Sequence, residues 1–230
     1  MAHRLPAGSP SLLRRLNSTA ILRAIRTDGP LSRTELARIT GLSKPTVKDV
    51  VESLLDTGYV LESVPAGPPR RPGPRARLLR FQSNLGYVLG IDIGANKTLA
   101  IVTDLDGRVL ATERRRTSAR ERADADVMLE KVRAVAHTAL EAGGVSLTDL
   151  KAVGVGTPGV VDPILGAVTL APQLGGWEGI RLERRLRRYF PCQILVDNEV
   201  HLSPSAGSAL PRASTTPSTL RSALASAAAS

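Results

Sequence analysis

The chain has 230 residues, enough for one large domain or two small ones, with an apolar share of 42% and a net charge of +10. No apolar run approaches a membrane span, and the opening "MAHRLPAGSPSLLRRLNST" lacks the uninterrupted apolar core of an export signal, so a cytoplasmic protein with no membrane partner is expected. One cysteine, Cys192, excludes an internal disulfide, and His3, His137 and His201 supply no metal-ligand spacing, so neither a metal nor a cofactor is expected. Cys192 itself reads as a small buried residue near a strand start rather than a nucleophile.

The charge is unevenly placed. Residues 1–80 hold fourteen Lys/Arg against six Asp/Glu, residues 81–202 hold fifteen of each, and the last twenty-eight add two arginines. Basicity gathered at one end suits a nucleic-acid-binding module joined to something else.

The first module reads as three helices. Ile21, Leu22 and Ile25 form an apolar stripe that ends at Gly29-Pro30. Ser32-x-x-Glu35 is a capping box opening a short helix to about Thr40, and Gly41 permits a tight turn. Ser43 caps a third helix with Pro45 in its first turn, and Gly58 closes it. Val47, Val50, Val51, Leu54 and Leu55 make its core face, leaving Lys44, Thr46 and Lys48 at the leading end of the other side. This is the grammar of a helix-turn-helix, with Ser43, Lys44, Thr46 and Lys48 as candidate base-reading residues on double-stranded operator DNA. The alternative is a small helical bundle with solvated lysines. Next, "YVLESVPAGPPRRPGPRARLLRF" places two strand-like pieces around a basic tip. It reads either as a wing, with Arg70, Arg71, Arg75 and Arg77 on phosphates or in a minor groove, or as a flexible basic linker.

The second module changes grammar. Strands at about Tyr87–Ile93 and Leu99–Thr103 flank Gly94-Ala95-Asn96-Lys97, and Asp106-Gly107 turns into a third strand. A helix carrying Val127, Leu129, Val132, Val135, Ala136 and Leu140 ends at Gly143-Gly144, followed by the strands "KAVGVGTP" and "CQILVDN". Strands, helix, strand indicate an α/β domain. Asp92, Gly94 and Lys97 mark a turn that can approach a phosphate closely, because glycine has no side chain to block it; an ordinary β-hairpin is the alternative. Gly154-x-Gly156-x-x-Gly159 is rejected as a dinucleotide fingerprint: Pro158 sits inside it and no helical stripe follows.

Taken in order, "LSRTELARITGLSKPTVKDVVESLL", "LGIDIGANKT", "VGVGTPGVVD", "GAVTLAPQLGGWEGIRL" and "VDNEVHL" make the chain resemble the ROK family over about residues 12–202. That family unites sugar-responsive repressors with sugar kinases on an actin/hexokinase-like ATPase fold, and the helix-turn-helix points to its regulators. The resemblance implies a winged helix-turn-helix at 1–80 and the first lobe of the actin-like domain at 81–202, while composition alone makes 203–230 a disordered low-complexity tail. It implies a phosphate hairpin, here vestigial, at Asp92, Gly94 and Lys97, although family kinases prefer Gly-Thr where Ala95-Asn96 stand. It implies sugar contacts from Pro158-Gly159, from Gln173 in place of an asparagine, and from Asn198 and Glu199, where the family has Asn-Asp. A glutamate in place of the kinase base disfavours phosphoryl transfer without excluding sugar binding.

The family continues with a glutamate-bearing helix, a second phosphate loop and a His/Cys zinc cluster, whereas residues 203–230 are almost wholly Ala, Ser, Thr and Pro. The expectation is a regulator interrupted near Leu202–Ser203 by a frameshift or a sequencing error. It would repress carbohydrate genes, respond to a sugar or sugar-phosphate inducer, and form a homodimer weakened by the truncation. No catalytic residue is assigned. A sugar kinase and a non-functional fragment are the competing readings.

Overall fold

Ile21, Leu22, Ala24 and Ile25 bury one face of helix α1 (Pro10–Asp28) in the computed structural model, which describes residues 10–64, 76–162 and 167–198. The short α2 (Arg33–Thr40) opens with the expected box: the Ser32 amide donates to Glu35 Oε2 at 2.7 Å, and the Glu35 amide donates to Ser32 Oγ at 3.3 Å. Gly41 ends α2 in the left-handed region at φ 70°, which lets the chain reverse into α3 (Lys44–Asp56). Val47, Val50, Val51 and Leu54 turn inward from α3 and join Leu36, Val60 and Leu79 in one core. Strands β1 (Val60–Ser63) and β2 (Leu78–Phe81) pair antiparallel, and Leu31 bridges to Leu79 beside them. Three helices closed by a two-stranded hairpin are a winged helix-turn-helix.

A second unit begins at Gly86, the first ending at Leu85. A division after residue 80 would cut β2, whose last residue Phe81 pairs with Val60. The apolar run expected to be a strand is β3 (Tyr87–Ile93), with β4 (Lys97–Asp104) and β5 (Val109–Arg116) antiparallel beyond it. On its other side β3 pairs parallel with β6 (Leu150–Thr157), and β6 pairs parallel with β9 (Gln193–Asn198), giving the order β5-β4-β3-β6-β9. Between β6 and β9, β7 (Val160–Asp162) and β8 (Ala167–Leu170) form a separate antiparallel pair. Two short helices, α4 (Ala119–Ala123) and α6 (Leu182–Leu186), flank this unit's chain of elements, and α5 (Ala125–Gly143) is its long helix.

Helix α5 packs over β3, β4 and β5 through Met128, Leu129, Val132, Val135, Ala136 and Leu140. Trp177, Leu182 and Leu186 are fully buried and extend the same core toward β8 and β9. Cys192 is half-buried rather than buried, because it precedes β9 instead of lying within it. Burial pushes its thiol pKa up, against a weaker lowering by Arg187, and this disfavours the thiolate a nucleophile needs. The chain is thus an α/β protein led by a winged helix-turn-helix. No described helix is long and apolar enough to cross a membrane.

Candidate functional site

In the first unit the candidate surface is the leading end of α3. Ser43 is its N-cap, accepting from the Thr46 amide at 3.3 Å, and the Ser43 and Thr46 hydroxyls lie 2.8 Å apart. Two of the four sequence-predicted readers therefore spend part of their hydrogen-bonding capacity on the cap. Lys44 and Lys48 are exposed one turn apart, and among the described residues Lys48 has only a 3.9 Å ion pair with Glu52, a surface contact of little worth. No acid occupies the first turn of α3, so the cations stand at the positive end of the helix dipole. That placement costs stability in isolation and is relieved by a phosphate. Asp49 and Glu52, exposed further along, confine the cationic stretch to the leading end.

At the hairpin, Arg77 donates to Glu62 Oε2 at 2.7 Å, and Arg33 pairs with the other carboxylate oxygen. Hydrogen bonds from Arg77 and then Arg33 hold the Glu62 carboxyl below its ordinary pKa despite an opposing effect of burial. Arg77 thus ties the base of the hairpin to α2, and contact with a phosphate requires it to leave or share Glu62. Arg70, Arg71 and Arg75 lie outside the described residues.

In the second unit, strand register assembles the other candidates. Asp92 on β3 pairs with Gly156 on β6, and Gly156 pairs with Asp197 on β9; one step on, Thr157 pairs with Asn198. The three strands are parallel, so the hairpin at Gly94–Lys97, the Pro158-Gly159 turn and Asn198 all emerge from their carboxyl ends. In open α/β sheets that edge is where ligands bind. Gly94 and Gly159 are there for steric reasons. A Cβ at Gly94 would come within 2.8 Å of the Lys97 carbonyl, and one at Gly159, where φ is 108°, within 2.0 Å of the Leu170 carbonyl. Gln173 is exposed on the turn before buried Leu174, and Lys97 is exposed at the start of β4. The side chain of Asn198 and the whole of Glu199 lie outside what is described.

Sequence reasoning missed the group that fixes this edge. The Thr117 hydroxyl donates to the Gly94 carbonyl at 3.0 Å, the Thr117 amide to the Asn96 carbonyl at 2.9 Å, and Arg122 Nη1 to the Ala95 carbonyl at 3.3 Å. Beneath them Lys131, its side chain 6% exposed, donates from Nζ to the Arg116 carbonyl at 2.5 Å, Thr117 Oγ1 at 3.0 Å and Glu121 Oε2 at 3.2 Å. The Gly175 amide donates to the Arg122 carbonyl at 2.7 Å, so α4 joins the 94–97 hairpin to the Gln173 turn. A signal was present: Ser118-x-x-Glu121 is a second capping box, of the same form as Ser32-x-x-Glu35. Among the described residues no cluster of three His, Cys, Asp or Glu side chains suits a metal ion.

Comparison with known proteins gives two family matches. The ROK family matches residues 88–219, more than half the chain and past residue 202, where the motifs read from the sequence stop. A winged helix-turn-helix DNA-binding model matches residues 14–60. A putative xylose repressor of Caldicellulosiruptor sp. (strain Rt8B.4) is 27% identical over 194 residues, covering 84% of this chain and 47% of that protein. The DNA-binding transcriptional dual regulator NagC of Escherichia coli (strain K12) is 27% identical over 183 residues, covering 78% and 44% respectively. The chain thus spans about half the length of the curated relatives it matches. In fold, a ROK family transcriptional regulator described as a homolog of the E. coli MLC protein superposes with a TM-score of 0.65 at 17% identity, over 81% of this chain and 46% of that one.

Proposed function

The chain belongs to the ROK family, and on that premise we propose that it is a sugar-responsive, DNA-binding transcriptional regulator that acts as a repressor. The observation that carries this is α3: a capped recognition helix with Lys44 and Lys48 exposed at its leading end, in a unit joined to a ROK lobe. Lys44 and Lys48 contact phosphates or guanine edges at the entrance of the major groove, and Ser43 and Thr46 fix where the helix starts. The wing arginines Arg70, Arg71, Arg75 and Arg77 add salt-dependent affinity.

At the carboxyl edge the effector is a sugar or sugar phosphate, met by Pro158-Gly159, Gln173, Asn198 and Glu199. Asp92, Gly94 and Lys97 serve as a scaffold turn, and no reaction is assigned to them. DNA sites are read by a homodimer, each helix taking one half-site. The names of the relatives, a xylose repressor and an N-acetylglucosamine repressor, support the sugar-linked reading. The test is a fluorescence-anisotropy titration of a duplex enriched by the chain from a random library. Lys44→Ala/Lys48→Ala is expected to lower the magnitude of the log K against log salt slope by about 1.8, two phosphate contacts at ~0.9 each. An unchanged slope and affinity would remove α3 from the interface.

A further inference from the structure

Helix α6 and the turns on either side of it carry a cationic cavity that the DNA-reading role does not use. Leu182 and Leu186 are fully buried and pin this segment to the core, which forces the intervening arginines outward. Arg181 precedes α6, Arg184 lies within it and Arg188 follows in the turn after it. With Arg185, Gly179 and Ile180 they line an open cavity of about 320 Å³, with no acid among the described residues that line it. Asp126 pairs with Arg185 at the cavity's edge and so takes up that one lining cation, while Glu183 pairs with Arg187 Nε at 3.1 Å and Glu130 with Arg133 and the Tyr189 hydroxyl. Glu178 is exposed in the preceding turn and does not line the cavity. Arg181, Arg184 and Arg188 have no carboxylate partner among the described residues. The amides of Gly179 and Ile180 are spent on the Val168 and Trp177 carbonyls, so the donors facing the cavity are guanidinium groups.

Like charges gathered on one turn repel, and an anion shared among them removes that cost while filling planar, two-pronged donors suited to phosphate oxygens. We propose that this cavity binds a small compound carrying adjacent phosphates, of the di- or triphosphate type, through Arg181, Arg184 and Arg188. A concave site at the low end of the ~300–1,000 Å³ range of small-molecule pockets encloses a compact anion better than it follows a nucleic-acid backbone.

The experiment is isothermal titration calorimetry of the full chain with inorganic tripolyphosphate, pyrophosphate and orthophosphate at fixed ionic strength. Saturable one-site binding is expected, tightest for tripolyphosphate. Arg184→Ala/Arg188→Ala should weaken it by about tenfold or more, the loss of one or two charged hydrogen bonds. Lys44→Ala/Lys48→Ala should leave it unchanged. Arg184→Lys/Arg188→Lys, which keeps charge and fold but not the fork, should fall between wild type and the alanine variant. Unsaturable heats, an unchanged affinity in the arginine variants, or a loss confined to the lysine variant would each overturn the assignment. So would arginine variants that weaken duplex DNA binding while leaving tripolyphosphate binding intact, because these side chains would then contact a nucleic-acid backbone.

Discussion

Replacing Lys131 with methionine removes a buried ammonium while keeping most of the packing of its stem. Its Nζ serves the Arg116 carbonyl, Thr117 Oγ1 and Glu121 Oε2, so three acceptors lose a donor. Two net hydrogen bonds to neutral acceptors contribute about 1 kcal/mol each. The carboxylate pair adds about 1 kcal/mol at most, since Glu121 is 23% exposed and water screens it. Against this, the variant no longer desolvates an ammonium, which returns part of the sum. The expected loss is about 2 kcal/mol in urea unfolding of the second unit at neutral pH. The pH dependence has a defined sign. Burial raises the Glu121 carboxyl pKa, but hydrogen bonds from the Ser118 amide and hydroxyl and from Lys131 outweigh it and hold it below its ordinary value. Its contribution is therefore present above the ordinary carboxylate pKa and lost as pH falls through the lowered one, so the gap between wild type and variant narrows in acid. Because Thr117 also holds the Gly94 and Asn96 carbonyls, the variant should expose the 94–97 hairpin to faster hydrogen exchange. A loss below about 0.5 kcal/mol, the size of an ordinary surface change, with unchanged exchange at the hairpin would refute the idea that Lys131 anchors this edge.

Gly159→Ala should cost more than about 2 kcal/mol, because its Cβ meets the Leu170 carbonyl and the backbone is in a region alanine avoids; chemical denaturation would register it. Thr103→Val removes a fully buried hydroxyl that has no hydrogen-bond partner among the described residues, so thermal unfolding should show a neutral or slightly stabilised variant. A destabilisation above about 1 kcal/mol would mean that this hydroxyl is satisfied in solution.

Much of the architecture was legible because its signals are local. Ser32-x-x-Glu35, Gly41 and the stripe Val47, Val50, Val51, Leu54 each specify a helix boundary or face without help from distant residues. The strand β3 was equally plain as an apolar run between Gly86 and Gly94, and β6 as a Val/Gly run closed by Pro158. Tertiary placement was not legible. Nothing in the spacing of Asp92, Gly156 and Asp197 says that they stand in one row, because register between parallel strands is set by packing across a long crossover. Lys131 carries no signal in the spacing of its helix, and only the fold brings it under Thr117. Helix α6 escaped notice because five arginines between Arg181 and Arg188 mask the two leucines that bury it. Arg77 was grouped with the wing tip by composition, whereas Glu62 and hairpin register assign it to the wing base.

The central claim is that α3 reads DNA in sequence-specific fashion. The most direct test is repeated selection of duplexes from a random library by the full chain at physiological salt, followed by sequencing. One recurrent motif is predicted, containing a half-site or an inverted pair, and it should fail to emerge when Lys44→Ala/Lys48→Ala is used. A folded chain that enriches no motif, or the same motif from both proteins, would contradict the account.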